Sequence, residues 1–432
     1  MRNAADVGCV SGDAPADGRY PTTSGVICVT QESIEVRGGA RPALTSLRFV
    51  GALLVFITHA AYLAPFASVA VAGGFIFVGI NGGHFGVSLF FVLSGFVLTW
   101  STGAGVGWRA FYRRRFMRII PSHLVVFVPA AVVTLLIFGI GLFPLLFNYL
   151  FLLQAWVWDY GFAAQSPNPP TWTLGVEIFF YALFPLFYWL VRRIRHNRVW
   201  LWWVATGLLV LAITIVVGAV LPSGPPSPAF PSGTWLQHKA LLFFPVTRLP
   251  DFVIGMLTAR LVQERRFVKI GLGWSMAFVA VVYVVTLFLP PIYGYSGMWA
   301  FPAALLIGAA ATRDPRRPGL LESRPALWAG ETTYAFYLVH LPLLLFAVFV
   351  VGNGSLAGAK MGTVPGILFL LGIFVLSLLV ARLLFVTVER PAMRRWGRSR
   401  RTGPDRQPVT GGGEDTARAD GGKPDRPGRA AA

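Results

Sequence analysis

The sequence predicts an all-α polytopic membrane protein with about ten transmembrane helices and both termini in the cytoplasm. Three observations predict it. The chain of 432 residues is 55% hydrophobic and only 13% charged, with a mean hydropathy of +0.63, whereas a soluble domain carries about 25% charged residues. Apolar runs long enough to cross, or nearly cross, a bilayer recur along the chain. The basic residues between those runs alternate in density, which fixes an orientation.

The ten runs lie at roughly 44–64, 84–102, 119–140, 172–191, 199–221, 241–262, 270–289, 297–312, 332–352 and 366–388. Every second connection is rich in arginine: Arg109, Arg113, Arg114, Arg115 and Arg118; Arg192, Arg193, Arg195 and Arg198; Arg260, Arg265, Arg266 and Lys269; Arg313, Arg316, Arg317 and Arg324. The alternate connections offer Lys239 and Lys360. Positive charge is retained on the cytoplasmic side, so the arginine-rich connections and both termini are expected there, in a multi-pass protein of the cytoplasmic membrane. The stretch Gly141–Trp158 is apolar enough for an eleventh span, but counting it would reverse every later loop. It is expected to be an outer-face or re-entrant helix instead.

The domain plan is a tail at 1–40, a transmembrane domain at 41–395 and a cytoplasmic tail at 396–432. The N-terminal stretch lacks the basic start and apolar core of a signal peptide, and reads as a disordered tail or an over-long start. The C-terminal stretch is rich in Gly, Pro, Arg and Asp without apolar periodicity, and is expected to be disordered. The two cysteines, Cys9 and Cys28, fall in the first tail, which argues against a disulfide framework or a cysteine-based metal site. The net charge of +19 resides in short loops, so no nucleic-acid partner is expected.

Chemistry is expected where ionisable residues interrupt apolar runs, because such residues are costly there and functional by default. Arg48 and His59 share the first run. Eleven residues at about 100° each bring them within about 20° of one face, roughly 16 Å apart along the axis. A cation and a base on one face suit a reaction in which a long anionic donor lies along a groove. Glu177, about five residues into the fourth run by the 1.5 Å rise, is expected at nearly the depth of His59, with the imidazole as a partner. The bland alternative is a set of structural hydrogen bonds between helices.

The loop from Phe111 to Pro121 concentrates arginines beside the inner face. They serve either positive-inside signalling and lipid contact or the binding of phosphates. Arg248 and Asp251 lie on one face of the sixth run and form a self-neutralising pair, at least as suited to structure as to catalysis. His340 in the ninth run reads first as a satisfied structural histidine. Glu389-Arg390-Pro391 reads as a salt-bridge anchor closing the last helix. Gly86 to Phe96 supplies small residues for close helix packing; Ser94 has no base beside it in sequence.

Taken together these pieces resemble the acyltransferase-3 family of integral membrane acyltransferases. The hallmark Arg-x10-His is matched by Arg48 and His59, and Gly-Val-x-x-Phe-Phe-x-x-Ser-Gly-Phe by Gly86 to Phe96. Arg-Arg-x-x-Arg-Ile-x-Pro is met by Arg114, Arg115, Arg118, Ile119 and Pro121. Trp-Ser-Leu-x-x-Glu-x-x-Phe-Tyr corresponds to Trp172, Leu174, Glu177, Phe180 and Tyr181, with Thr173 in place of serine. Tyr-Leu-x-His-x-Pro is matched by Tyr337, Leu338, His340 and Pro342, and the closing motif by Glu389, Arg390 and Pro391. His123 stands where the family commonly has tyrosine. The likeness runs in order from about Arg41 to Arg395.

The resemblance implies transfer of an acyl group, foremost acetyl, from cytoplasmic acyl-CoA to a hydroxyl of a carbohydrate, a cell-envelope lipid or glycan, or an antibiotic such as a macrolide. Tails rich in Ala, Gly and Arg suit an actinobacterial source. His59, Glu177 and Arg48 are the expected catalytic group, with His59 as general base, Glu177 orienting it and Arg48 holding the donor. Arg114, Arg115, Arg118, Trp172, Tyr181 and His340 are the expected substrate- and donor-binding residues. No metal and no bound cofactor are expected; acyl-CoA is a co-substrate. The rival reading is a transporter or flippase that uses the same charges as a substrate or proton path.

Overall fold

The computed structural model describes residues 41–103, 107–139, 145–159, 166–221, 226–227, 230–314 and 318–396. The tails expected at either end, with Cys9 and Cys28, lie outside the described residues, as do Arg316 and Arg317. The long helices are α1 (Pro42–Leu63), α2 (Val69–Ser101), α3 (Trp108–Phe138), α4 (Trp172–Arg193), α5 (Val199–Val220), α6 (Pro245–Gln263), α7 (Leu272–Phe288), α8 (Ala300–Ala311), a short α9 (Arg324–Glu331), α10 (Thr333–Val351), α11 (Thr363–Leu384) and α12 (Arg390–Trp396). Among the described residues nine helical stretches are long and apolar enough to cross a membrane. With the 17-residue α7 they account for the ten expected runs. An antiparallel hairpin, Pro226–Ser227 with Phe230–Thr234, interrupts the helical pattern between α5 and α6.

Two elements differ from the sequence reading. The arginine-rich stretch expected as a loop is the beginning of α3, which starts at Trp108. Arginine is a good helix former, so the helix continues past the end of the apolar run. Helix α2 begins at Val69, far ahead of the expected 84, because Ser68 caps it through Val71 N and no proline follows before its end at Ser101.

Among the described residues, the stretch between α3 and α4 forms no eleventh span. Its described part, 145–159, holds only a six-residue π turn and a three-residue 3-10 turn. Tyr149, Leu152, Gln154 and Ala155 are buried within it. The chain returns through Ser166, Asn168 and Thr171, all buried, before α4 starts. Asn168 Nδ2 donates to the carbonyl of Leu338 at 2.7 Å. That carbonyl lacks its usual helical partner because the residue four places on is Pro342, which has no N–H. Gln154 Nε2 donates to Thr171 Oγ1 at 2.9 Å, and Lys239 Nζ to the carbonyl of Gln154 at 2.7 Å. Lys239, expected as an outer loop charge, is thus buried.

Helix α2 is the centre of the bundle. Against α1, Thr58 Oγ1 donates to Gly79 O and accepts from Gly83 N, both at 2.6 Å. Against α6, a β-carbon at Gly95 would fall onto the carbonyl of Phe252, and one at Gly255 onto the carbonyl of Val92. Only hydrogen at both positions permits this approach. One turn further along the same seam, Arg248 Nη2 meets Asp251 Oδ2 at 2.9 Å and donates to Ser88 Oγ at 2.7 Å. Both ionic side chains are essentially inaccessible to solvent, at 0% and 1%.

Breaking that buried pair leaves an uncompensated charge, so Asp251→Ala should destabilise the protein by about 3–5 kcal/mol. The double variant Arg248→Met/Asp251→Leu should recover most of the loss. Thermal unfolding in detergent, followed by tryptophan fluorescence, checks both.

Candidate active site

A cavity of about 90 Å³ is lined by Arg48 of α1, Ser94 of α2, Arg115 and Arg118 of α3, Thr173, Glu177 and Tyr181 of α4, and Thr333, Tyr334 and Tyr337 of α10. Arg115 and Arg118 face it together because they are three residues apart on α3. The Tyr181 hydroxyl donates to Glu177 Oε2 at 2.9 Å, one turn along the same helix. Glu177 faces Arg118, Arg48 and Arg115. Arg115 lies over the ring of Tyr181 at 5.9 Å. Ser94 lines the cavity beside Tyr181, and the Tyr334 hydroxyl donates to the carbonyl of Ile119 at 2.7 Å, tying α10 to α3 beside the arginines.

Glu389 also turns toward this site. It ends a π turn, Phe385–Glu389, that rephases the last span before α12. It is 2% exposed and faces Arg118 and Arg48. The sequence reading made it a salt-bridge anchor closing the last helix; the structure buries it on the side of the cavity arginines. Three guanidinium groups therefore face two carboxylates, which leaves the site with one cation more than anions and favours an anionic ligand.

His59 stands elsewhere. Its Nδ1 is 3.1 Å from Nε2 of His340, and His340 Nδ1 is 3.1 Å from the carbonyl of Phe336. The His340 ring is fully buried, stacked on Phe336 with an interplanar angle of 11° and flanked by Phe56 and Tyr337. The expected pairing of Glu177 with His59 is not formed: Glu177 is engaged by Tyr181 and the arginines, and His59 by His340. The buried return through Asn168 and Thr171 is the reason. It starts α4 inside the protein, so counting residues from an outer surface at Trp172 misplaces Glu177.

The cavity and the histidine pair share two helices. Arg48 and His59 both project from α1, and Tyr334, Tyr337 and His340 recur every third residue along α10. Tyr337 lies between them, lining the cavity with its ring centroid 5.7 Å from that of His340. The Thr173 hydroxyl donates to the Tyr337 hydroxyl at 2.9 Å, which donates to the carbonyl of Pro170 at 2.9 Å. Thr173 thus keeps the hydroxyl of the serine it replaces. His123, in place of tyrosine, directs Nε2 to the carbonyl of Tyr149 at 2.9 Å.

Of the expected binding residues, Arg115, Arg118 and Tyr181 line the cavity; Arg114 and Trp172 do not. Arg114, one turn before Arg118, is half-buried outside the lining. Trp172 is a packing residue against Phe91 and Phe243, with centroids 6.2 and 4.6 Å away. Ser94, Thr173, Thr333, Tyr334 and Tyr337 line the cavity and Glu389 lies beside its arginines; the sequence reading had not placed them in the site. Glu389 and Ser94 were visible in motifs, but nothing in their spacing told which way they face.

The comparisons with known proteins agree with this architecture. A family model described as an acyltransferase domain matches residues 41–386, and the chain belongs to that acyltransferase-3 family. Acyltransferase MdmB of Streptomyces mycarofaciens is 33% identical over 376 residues, 84% of this chain and 95% of that one. Peptidoglycan O-acetyltransferase OatA of Listeria monocytogenes is 25% identical over 61% of this chain and 45% of its own length. O-acetyltransferase OatA of Staphylococcus aureus is 22% identical over 73% and 53%. The chain thus spans about half the length of the last two. No solved structure matches it.

The hydroxyl at position 173 gives a direct check on the wall between cavity and histidines. Thr173→Ser should keep thermal stability, whereas Thr173→Val should lose about 0.5–1.5 kcal/mol with the missing hydrogen bond. Paired melting curves of the two variants decide it.

Proposed function

We propose that this protein is an O-acyltransferase of the cell membrane that moves an acyl group, foremost acetyl, from cytoplasmic acyl-CoA to a hydroxyl of a glycan, envelope lipid or macrolide-like small molecule. The observation that carries the reading is the cation-rich cavity of Arg48, Arg115 and Arg118, which shares α1 and α10 with the His59–His340 pair. Membership of an acyltransferase family supports the chemistry. The O-acetyltransferase names of two relatives support an acetyl donor and a hydroxylated acceptor.

In this reading the arginines bind the donor's phosphates, and its flexible arm carries the thioester along α1 to His59. Guanidinium forks suit phosphates, and burial strengthens them. Glu177 and Glu389 hold the arginines apart and aimed; Glu177 does so with Tyr181 rather than by touching His59. His59 takes the proton of the acceptor hydroxyl while that oxygen attacks the acyl carbon. The C–O bond forms, the C–S bond breaks, and the proton passes on to the departing thiolate, giving ester and free CoA thiol. The donor enters from the arginine-rich, cytoplasmic face.

Purified protein in liposomes, labelled acetyl-CoA, and a panel of a macrolide, a muropeptide and a methyl hexoside test the reading. Wild type is expected to label at least one acceptor, and His59→Ala none. Arg48→Lys keeps the charge but loses the planar fork, and should lower kcat/KM roughly ten- to hundredfold, the loss of one charged hydrogen bond. Lack of turnover by wild type with every acceptor shifts the reading to transport; full activity of His59→Ala removes the base.

Orientation is checked separately. Reporter fusions after Arg195 should behave as cytoplasmic and fusions after Lys360 as extracytoplasmic. The reverse result would take the donor phosphates away from Arg118.

A further inference from the structure

The hydrogen bonds of the histidine pair determine which ring nitrogen is free. The carbonyl of Phe336 can only accept, so His340 Nδ1, 3.1 Å from it, carries a proton. A neutral imidazole has one N–H, which leaves His340 Nε2 as an acceptor. That atom faces His59 Nδ1 at 3.1 Å. Two lone pairs cannot share a hydrogen bond, so His59 Nδ1 carries its proton and donates. The carbonyl of Val55, one turn back on α1, also faces His59 and again can only accept. His59 Nε2 is then the unprotonated nitrogen.

We infer that His340 is the positioning residue of the acyl transfer, locking His59 in the tautomer whose Nε2 is the base. The inference rests on the acyltransferase reading above. The role is one usually met by a carboxylate beside a catalytic histidine; here a neutral ring fills it. As His59 Nε2 takes the acceptor proton, the bond from its Nδ1 to His340 becomes charge-assisted and stronger, so the help grows along the reaction coordinate. A neutral orienter avoids burying a permanent charge among Phe56, Phe336 and Phe374, which pack around the pair. The stacked Phe336 ring, one turn before His340, fixes the plane of the imidazole. The titratable groups facing the pair are Tyr62 of α1, His84 of α2 and Tyr337 of α10; none is a carboxylate.

Two variants separate this role from packing. His340→Phe keeps a ring and removes the acceptor, and His340→Gln places an amide oxygen near the position of Nε2. In full-length protein with labelled acetyl-CoA and the panel acceptor that wild type turns over fastest, the Phe variant should lose roughly ten- to hundredfold in kcat. Its KM for acetyl-CoA should stay within about threefold, because the donor cavity is a separate set of residues. The Gln variant should regain about tenfold over Phe. A second measurement needs no acceptor: ¹⁵N-histidine spectra of the protein in bilayers should show His59 as the Nδ1–H tautomer in wild type and as a mixture in His340→Phe. Wild-type kcat in the Phe variant, Gln performing no better than an equally folded Phe, or an Nε2–H tautomer at His59 in wild type each overturn the inference while leaving the acyltransferase reading intact. Turnover by His59→Ala, or none by wild type, strikes the reading and the inference together.

Discussion

A charged side chain inside an apolar helix bundle must be met by another group, and the arrangement of this protein follows from how each one is met. Arg248 is closed off by Asp251 and Ser88. Lys239 donates to the carbonyl of Gln154. Arg260 is held by Glu264 and by the carbonyls of Val191 and Ile194. These pairings fasten α6 to α2 and to the end of α4, and the turn before α6 to the stretch between α3 and α4. Around the cavity the balance differs: among the described residues the carboxylates facing Arg48, Arg115 and Arg118 are Glu177 and Glu389. The imbalance sits where a ligand can correct it.

The same economy governs backbone groups. Pro342 leaves the carbonyl of Leu338 without a helical donor, and Asn168 supplies one. That single bond anchors the return segment on α10. The segment in turn sets the start of α4, and so the positions of Thr173, Glu177 and Tyr181. A helix-breaking residue in one span thereby positions the site-forming face of another. Tyr337 completes the link by bonding to the carbonyl of Pro170 through the hydroxyl that Thr173 also engages.

Placement on α1 and α10 gives the site a direction. Both helices carry arginine-facing residues toward one end and a histidine toward the other, with Tyr337 between. In the proposed function, a donor held by the guanidinium groups and an acceptor activated by the imidazole would approach from opposite ends without sharing a path. The relatives retain their names as acyltransferases across identities from 33% down to 22%. The departures at Thr173 and His123 preserve a hydroxyl and a hydrogen-bonding nitrogen respectively.

Sequence alone determined the class of fold, the ten apolar runs and the placement of Arg48 and His59 in one helix, because helix periodicity and the cost of charge in lipid are local properties. It also marked Arg115, Arg118, Glu177 and Tyr181 as residues of one family motif set. Tertiary structure decided which of them meet. Residue counts from a presumed membrane surface placed Glu177 beside His59; the buried return before α4 gave it to Tyr181 and the arginines. The helical start of α3 brought Arg115 and Arg118 to the cavity together, since residues three apart share a side in a helix. The partner of His59 lies 281 residues away at His340, and a contact of that separation depends on the packing of two helices, which no local pattern encodes.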